Sequence, residues 1–372
     1  MLTCSKCERS YPESEPRWHC DCGSYLVLNT PGMFDPGCVK SRPPTLWRYR
    51  EALGINERDV VTLGEGFTPL VQSNLGGQDL LLKLDFMCPT GSYKDRGSTV
   101  MLSKLNQWRV SHIVEDSSGN AGASVAAYAA LAGIHADIYV PADASRGKIA
   151  QIAMYGANLV KVNGTREDTG RAAWEAATTT FYASHNWSPY FLAGMKTVAY
   201  EVAEQLDWDV PEWIVVPVGG GSLLVGIWLG FEDLYQAGVT ARMPRLVAVQ
   251  AENCAPVYRA WRSNLDEVSP AAKTPTAAEG ISVAAPVRGR QILKTLRDSQ
   301  GLVEIVGDAM VWQSLRDLGA RGIFVEPTAA AAMAALPGLN ARKAIQAGER
   351  VVVVLTGSGL KATDKIVEHF AA

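Results

Sequence analysis

Four short stretches of the chain combine reactive or hydrogen-bonding side chains with glycine, as a site assembled from loops would. The first is Pro89-Thr90-Gly91-Ser92-Tyr93-Lys94-Asp95-Arg96-Gly97. A lysine held in a tight, glycine-bounded loop can be partly desolvated, which lowers its pKa and frees the amine for a Schiff base. Read alone, Lys94-Asp95-Arg96 fits a solvated charge run better. The second stretch, Ser117-Ser118-Gly119-Asn120-Ala121-Gly122, opens an alanine-rich helical pattern. Backbone N–H groups at a helix start are donors for a carboxylate, although the same residues also make an ordinary N-cap. The third, Gly219-Gly220-Gly221-Ser222-Leu223, follows an apolar run. Successive glycines let backbone amides close on a phosphate. The stretch has neither the G-K-[ST] ending of a Walker loop nor the G-x-G-x-x-G of a dinucleotide site. The fourth, Thr356-Gly357-Ser358-Gly359-Leu360-Lys361, puts a hydroxyl at the end of a valine-rich run.

A fifth constellation lies at the front. Cys4-x-x-Cys7 and Cys20-x-Cys22 are two tight thiol pairs among the seven cysteines. Two such knuckles approximate the four-sulfur tetrahedron that zinc prefers, and four cysteine ligands leave no open position for chemistry. The expectation is a zinc-ribbon-like segment with a possible structural zinc; unpaired surface thiols are the alternative.

The elements that must carry these stretches follow from the apolar pattern. Strands are expected at 80–84, 112–114, 136–140, 158–162, 213–217, 246–250, 302–305 and 351–355, most of them continuous apolar runs buried on both faces. Helical patterns lie between them, including 121–131, 168–179, 196–206, 223–237 and 308–318. This alternation predicts an α/β fold of two open, mostly parallel domains, with ligands at the carboxyl ends of strands. The chain has 372 residues, 47% of them hydrophobic and 20% charged, enough for a large buried core. A net charge of −3 argues against a nucleic-acid partner. The longest weakly polar stretch, 121–134, is shorter than the roughly 20 residues that cross a bilayer. With no apolar leader at 1–7, a cytoplasmic enzyme is the default reading.

Taken together and in this order, the motifs resemble the fold-type II pyridoxal-phosphate enzymes of the tryptophan synthase β-like superfamily, and within it the threonine synthases. The resemblance rests on the cysteine ribbon, Gly64-Glu65-Gly66-Phe67-Thr68-Pro69-Leu70, the stretch around Lys94, Ser118-Gly119-Asn120, Gly194-Met195-Lys196-Thr197 and the block at Thr356. It implies that Lys94 carries pyridoxal 5'-phosphate as an imine and later acts as the base on the substrate Cα. It implies that Asn120 bonds the ring hydroxyl, that Gly219, Gly220, Gly221, Ser222 and Leu223 hold the phosphate, and that Thr356 faces the pyridine nitrogen. Ser117, Ser118, Gly119 and Ala121 would bind the substrate, and a substrate phosphate would need charge-assisted donors, which Arg96, Arg146, Lys148 or Lys196 could supply. A hydroxyl at the ring nitrogen makes a milder electron sink than a carboxylate would, which suits elimination and replacement and argues against a transaminase.

The implied reaction is loss of phosphate from O-phosphohomoserine and addition of water to give L-threonine. The arginine the resemblance leads one to seek before the Gly-Lys-Thr block is absent from 187–194. A serine/threonine dehydratase and a β-replacement synthase using an external nucleophile therefore stay open. The implied domains are a ribbon at 1–30, a large cofactor domain at 31–97 and 191–372, and a small domain at 98–190. The cofactor is expected between the two domains, and the enzyme is expected to be a homodimer acting on a small amino acid.

Overall fold

The computed structural model describes residues 1–29, 32, 34–75, 78–144 and 146–370. Its strands are β1 (Leu2–Cys4), β2 (Ser10–Tyr11), β3 (Leu26–Leu28), β4 (Leu70–Leu75), β5 (Gln78–Lys83), β6 (His112–Glu115), β7 (His135–Pro141), β8 (Asn158–Val162), β9 (Phe181–Tyr182), β10 (Trp213–Pro217), β11 (Arg245–Ala251), β12 (Leu302–Val306) and β13 (Val351–Val354). The ribbon forms an antiparallel sheet in the order β2-β1-β3. A second sheet, β8-β7-β6-β9, is parallel throughout. The third, β12-β11-β10-β13-β5-β4, is parallel except for β4 at its edge. The mostly parallel α/β architecture read from the sequence is present.

Burial explains the strand composition. Every residue of β10 and β13 is buried, so these strands have no solvent face toward which to alternate, and they read as Trp-Ile-Val-Val-Pro and four valines. β8, at the edge of its sheet, keeps Asn158 and Lys161 exposed. The helices that concern the site are α1 (Lys94–Gln107), α2 (Asn120–Ala132), α3 (Arg166–Ala176), α4 (Pro189–Met195), α5 (Thr197–Gln205), α6 (Ser222–Gln236) and α7 (Pro327–Ala334). No helix among the described residues is long and apolar enough to cross a membrane.

The chain divides into two compact units. Unit 1 comprises Met1–Gly66 and Lys94–Thr197; unit 2 comprises Phe67–Tyr93 and Val198–Ala372. The ribbon and residues 34–66 thus group with 98–190, and the chain changes unit at 93/94 and 197/198 rather than at 97/98 and 190/191. The expected edge at 30/31 falls on residues outside the described set. In unit 1 the ribbon is fastened by aromatic packing: Trp18 meets Trp174, Tyr182 and Trp187 edge-on, with centroids 4.6, 5.0 and 5.8 Å away. In unit 2 the alanine-rich α7 is buried against Val215, Val249 and Val353, its small side chains allowing close approach to the sheet.

Candidate active site

In unit 1, Lys94 is the first residue of α1, where the sequence alone suggests a loop. The helix behind it is buried from Asp95 to Leu105. Three contacts fix that helix start. Ser124 Oγ of α2 donates to Asp95 Oδ1 at 2.6 Å and lies 2.7 Å from Ser98 Oγ. The fully buried Arg96 donates from Nη1 to Thr197 Oγ1 at 3.0 Å. Gly97 faces α4 so closely that a Cβ there would lie 2.6 Å from the Phe191 ring. Opposite it, a Cβ on Gly194 would run into the Arg96 carbonyl oxygen. Phe191 therefore lies against the helix start, with Lys94 Nζ 5.8 Å from its ring centroid.

The second stretch follows β6 directly, at the carboxyl end of a parallel strand. Gly119 is the N-cap of α2, and its N–H donates to Ser117 Oγ at 3.2 Å. Ser117, Ser118 and Asn120 are half-buried, Gly119 is exposed and Ala121 is buried. The loop thus presents hydroxyls and helix-start amides together, the donor set a carboxylate needs. Lys196 is buried and caps α4.

In unit 2, Gly219–Gly221 connect β10 to α6, and Ser222 and Leu223 begin the helix. Gly221 is the N-cap at φ +84, a left-handed conformation, and a Cβ there would strike Ile292. Only glycine serves at this position, and α6 consequently begins with its amides at the strand end. Thr356 ends β13. The segment before Lys94 is laced to it: Tyr93 N–H donates to Thr356 O at 2.9 Å, Ser358 N–H to Gly91 O at 2.9 Å, and Lys361 Nζ to Thr90 O at 2.7 Å. Two hydroxyls in this cluster, Thr356 Oγ1 and Ser92 Oγ, are buried without a partner among the described residues. A buried polar atom without a partner costs free energy, so these hydroxyls suit a polar ring group from a ligand. Taken unit by unit, the residues present fit pyridoxal phosphate: unit 1 offers a lysine at a fixed helix start for its aldehyde, and unit 2 offers a glycine-built helix start for its phosphate and an unused hydroxyl just past a strand for its ring.

The Gly64–Leu70 motif has a physical account of its own, beyond the resemblance. Glu65 is a buried hub in unit 1, accepting from Trp47 Nε1 at 3.0 Å, Leu63 N–H at 2.8 Å and Tyr128 Oη at 2.7 Å. Glu201 plays that part in unit 2. It accepts from Phe67 N–H at 2.6 Å and from Lys83 Nζ at 2.7 Å, and Lys83 also donates to Thr68 O at 2.7 Å. The signal available in sequence is the charge itself: Glu65 and Lys83 stand in otherwise apolar or glycine-rich surroundings.

The cysteine knuckles converge in unit 1. The four Sγ atoms lie within 4.8 Å of one another. Cys4 and Cys22 are 3.5 Å apart, as are Cys7 and Cys20. Lys6 and Cys7 N–H both donate to Cys4 Sγ at 3.4 Å. The Ser24 backbone N–H leads the donors that bring the Cys22 thiol down to about 6.

Comparison with known proteins agrees with this arrangement. Residues 61–357 match the family described as pyridoxal-phosphate dependent enzyme. The threonine synthase of Methanocaldococcus jannaschii is 32% identical, the alignment covering 99% of this chain and 94% of the relative. That of Methanosarcina acetivorans is also 32% identical, with 99% and 93% covered. Among solved structures, maize serine racemase superposes with a TM-score of 0.68 at 22% identity, covering 82% of this chain and 94% of the other. A fungal L-serine ammonia-lyase from Rhizomucor miehei superposes with a TM-score of 0.71 at 22% identity, covering 81% and 96%. A cofactor-bearing region that matches throughout and relatives aligned from end to end leave one placement: the chain belongs to the pyridoxal-phosphate dependent enzymes, as a threonine synthase-like member.

Proposed function

We propose that the enzyme converts O-phosphohomoserine and water to L-threonine and phosphate. The observation that carries this reading is the end-to-end likeness to threonine synthases. Pyridoxal phosphate, when bound, supplies an electron sink that labilises bonds beside the substrate's amino group. Lys94 Nζ would hold the cofactor covalently and take the proton from the substrate Cα. Asn120 would bond the ring hydroxyl, and the amides of Gly219, Gly220, Gly221, Ser222 and Leu223 would hold the cofactor phosphate. Thr356 Oγ1 would serve the ring nitrogen without protonating it; its unused hydroxyl supports this role. The amides and hydroxyls of Ser117, Ser118, Gly119 and Ala121 hold the substrate carboxylate against the start of α2. Lys196 supplies positive charge toward the leaving group. Arg96, buried on Thr197, serves by fixing the α1 start.

A dehydratase acting on serine or threonine is the second reading. It is favoured by the apolar, buried Phe191 in a stretch that contains no arginine. Borohydride reduction of the purified enzyme, followed by peptide mapping, is expected to place the reduced cofactor on Lys94. Supplying O-phosphohomoserine should then release phosphate and threonine in equal amounts. Keto acid and ammonia from serine or threonine, with no turnover of O-phosphohomoserine, would select the dehydratase.

Cys4, Cys7, Cys20 and Cys22 are proposed to hold one structural zinc. A tetrahedron with Zn–S bonds of about 2.3 Å has S···S edges of about 3.8 Å, close to the observed 3.5 Å pairs and far from a disulfide. Metal analysis should find about one zinc per chain. The resemblance alone supports a cytoplasmic homodimer, for which sedimentation velocity is the check.

A further inference from the structure

A buried acid–histidine pair lies at the same end of the unit 1 sheet as the Ser117–Asn120 loop. Glu115 is the last residue of β6, and His185 follows β9, its neighbour in the sheet. The pairing continues beyond β9, with Ala183 N–H donating to Val114 O at 2.9 Å. It brings His185 Nδ1 to 2.6 Å from Glu115 Oε1. Glu115 is wholly inaccessible and His185 only 13% exposed. Glu115 Oε2 and the adjacent Asp116 Oδ1 are buried with no partner among the described residues. A carboxyl at a strand end, half of it unused, beside a histidine is expensive to keep for packing alone.

The pair is also close to the lysine. The His185 ring centroid lies 6.0 Å from that of Phe191, and Lys94 Nζ lies 5.8 Å from the same ring. Phe191 thus has the histidine and the amine as neighbours. The other titratable groups facing the pair are Asp116, which receives Arg166 Nη2 at 2.7 Å from the start of α3, and Tyr182 of β9. Burial, then Asp116, raises the Glu115 pKa well above the usual carboxyl range; burial, then Lys94, lowers that of His185 well below its own. Both directions favour the uncharged forms, in which the 2.6 Å contact is a carboxyl O–H donating to Nδ1. That assignment leaves Nε2 carrying the other proton, as inferred from the protonation states.

We propose that His185, positioned by Glu115, is a second catalytic acid of this enzyme, protonating the side-chain oxygen that leaves the substrate once Lys94, having first opened the Cα–H bond, has taken the proton from the carbon next to the one that bears the leaving group. This rests on Lys94 being the cofactor lysine. The carbon–oxygen bond breaks with its electron pair staying on oxygen. That oxygen takes the Nε2 proton, and Nδ1 takes the Glu115 proton. The imidazole ends neutral and Glu115 ends as a carboxylate. Meanwhile Lys94 has gained a proton, so the two new charges are of opposite sign and stabilise each other across a poorly solvated site. Return of the lysine proton to Glu115 through solvent resets the pair.

The test compares wild type with His185→Gln and Glu115→Gln, all loaded with cofactor and all checked for the imine absorbance band. Proton exchange at the substrate Cα in D2O and release of the leaving group are followed in the same sample by NMR. We expect exchange to persist within a few-fold in both variants while release falls by about 100-fold or more, the size of one general acid's contribution. In the protein without cofactor, ¹⁵N-histidine spectra should show one imidazole protonated only at Nε2 across the neutral pH range, and Glu115→Gln should alter that signal. The proposal is overturned if exchange and release fall together in both variants, as a packing defect would cause, or if neither falls. If His185→Gln does not fold, the near-isosteric Glu115→Gln decides by the same ratio. A wild type that shows no imine band overturns the cofactor reading itself and the relay with it.

Discussion

At the scale of single residues, Glu115 makes a prediction about stability that is separate from catalysis. Its pKa is raised in the folded protein, chiefly by desolvation. Above the ordinary carboxyl value of about 4.3, the unfolded chain has lost a proton that the folded chain retains. Folding then takes up a proton, so stability falls as pH rises from that value toward the raised one. The slope is at most about 1.4 kcal/mol per pH unit. Glutamine has the same shape and no such proton. The stability of Glu115→Gln relative to wild type should therefore improve between about pH 5 and pH 8. Urea midpoints at the two pH values give the comparison, and a difference independent of pH would show Glu115 to be ionised in the fold. This residue was not legible in the sequence, because its partner His185 lies 70 positions away. The stretches around Lys94, Asn120 and the three glycines could be picked out in the sequence because each motif lies within a few positions, and the roles given to those residues are the proposal above. The unused hydroxyl of Thr356 is a property of its surroundings and not of its spelling.

At the scale of elements, the valine-rich strands could be read because full burial removes every reason for polar residues. α1 could not. Its buried positions include Asp95, Arg96, Ser98, Thr99, Ser103 and Lys104, so no apolar stripe marks the helix. These polar groups are held by partners from other elements: Thr99 Oγ1 donates to Val61 O at 2.6 Å, and Val61 N–H donates to Ser103 Oγ at 2.8 Å. β4 was missed for a related reason. It is an antiparallel edge strand carrying Gln72, Ser73 and Asn74. The packing of α1 on α4 yields a graded prediction. At Gly97 an added methyl meets the Phe191 ring, which can tilt, so Gly97→Ala should cost about 1–2 kcal/mol. At Gly194 it meets the Arg96 backbone, which no rotamer change relieves. Gly194→Ala should cost about 3 kcal/mol, the upper end of overpacking, and should also disturb the helix start that carries Lys94. Equal urea midpoints for the two variants would contradict this ordering.

At the scale of the molecule, the ribbon is the part least able to support itself. Its buried apolar side chains are few, among them Leu2, Tyr11 and Leu26, and segments below about 40 residues seldom fold without a metal or disulfide. Its cysteines form no disulfide. The sequence showed the two thiol pairs but not what they support. Trp18 stands among Trp174, Tyr182 and Trp187, and Trp108 Nε1 of unit 1 donates to Glu13 O at 2.9 Å. A metal that orders the knuckles therefore also orders an aromatic cluster reaching from α3 to the segment that holds His185. Stripping the proposed zinc with a strong chelator, with cofactor retained, should raise hydrogen exchange first in residues 1–29 and next in 174–187. The fully buried strands β10 and β13 of unit 2 should keep their protection, because their amides open only with the core around them. Replacing Cys4 by serine should reproduce the pattern without chelator, since loss of one ligand breaks the tetrahedron. Unchanged exchange in 1–29 after complete zinc removal would mean that the Trp18 cluster alone holds the ribbon, and that the four thiols are dispensable to the fold.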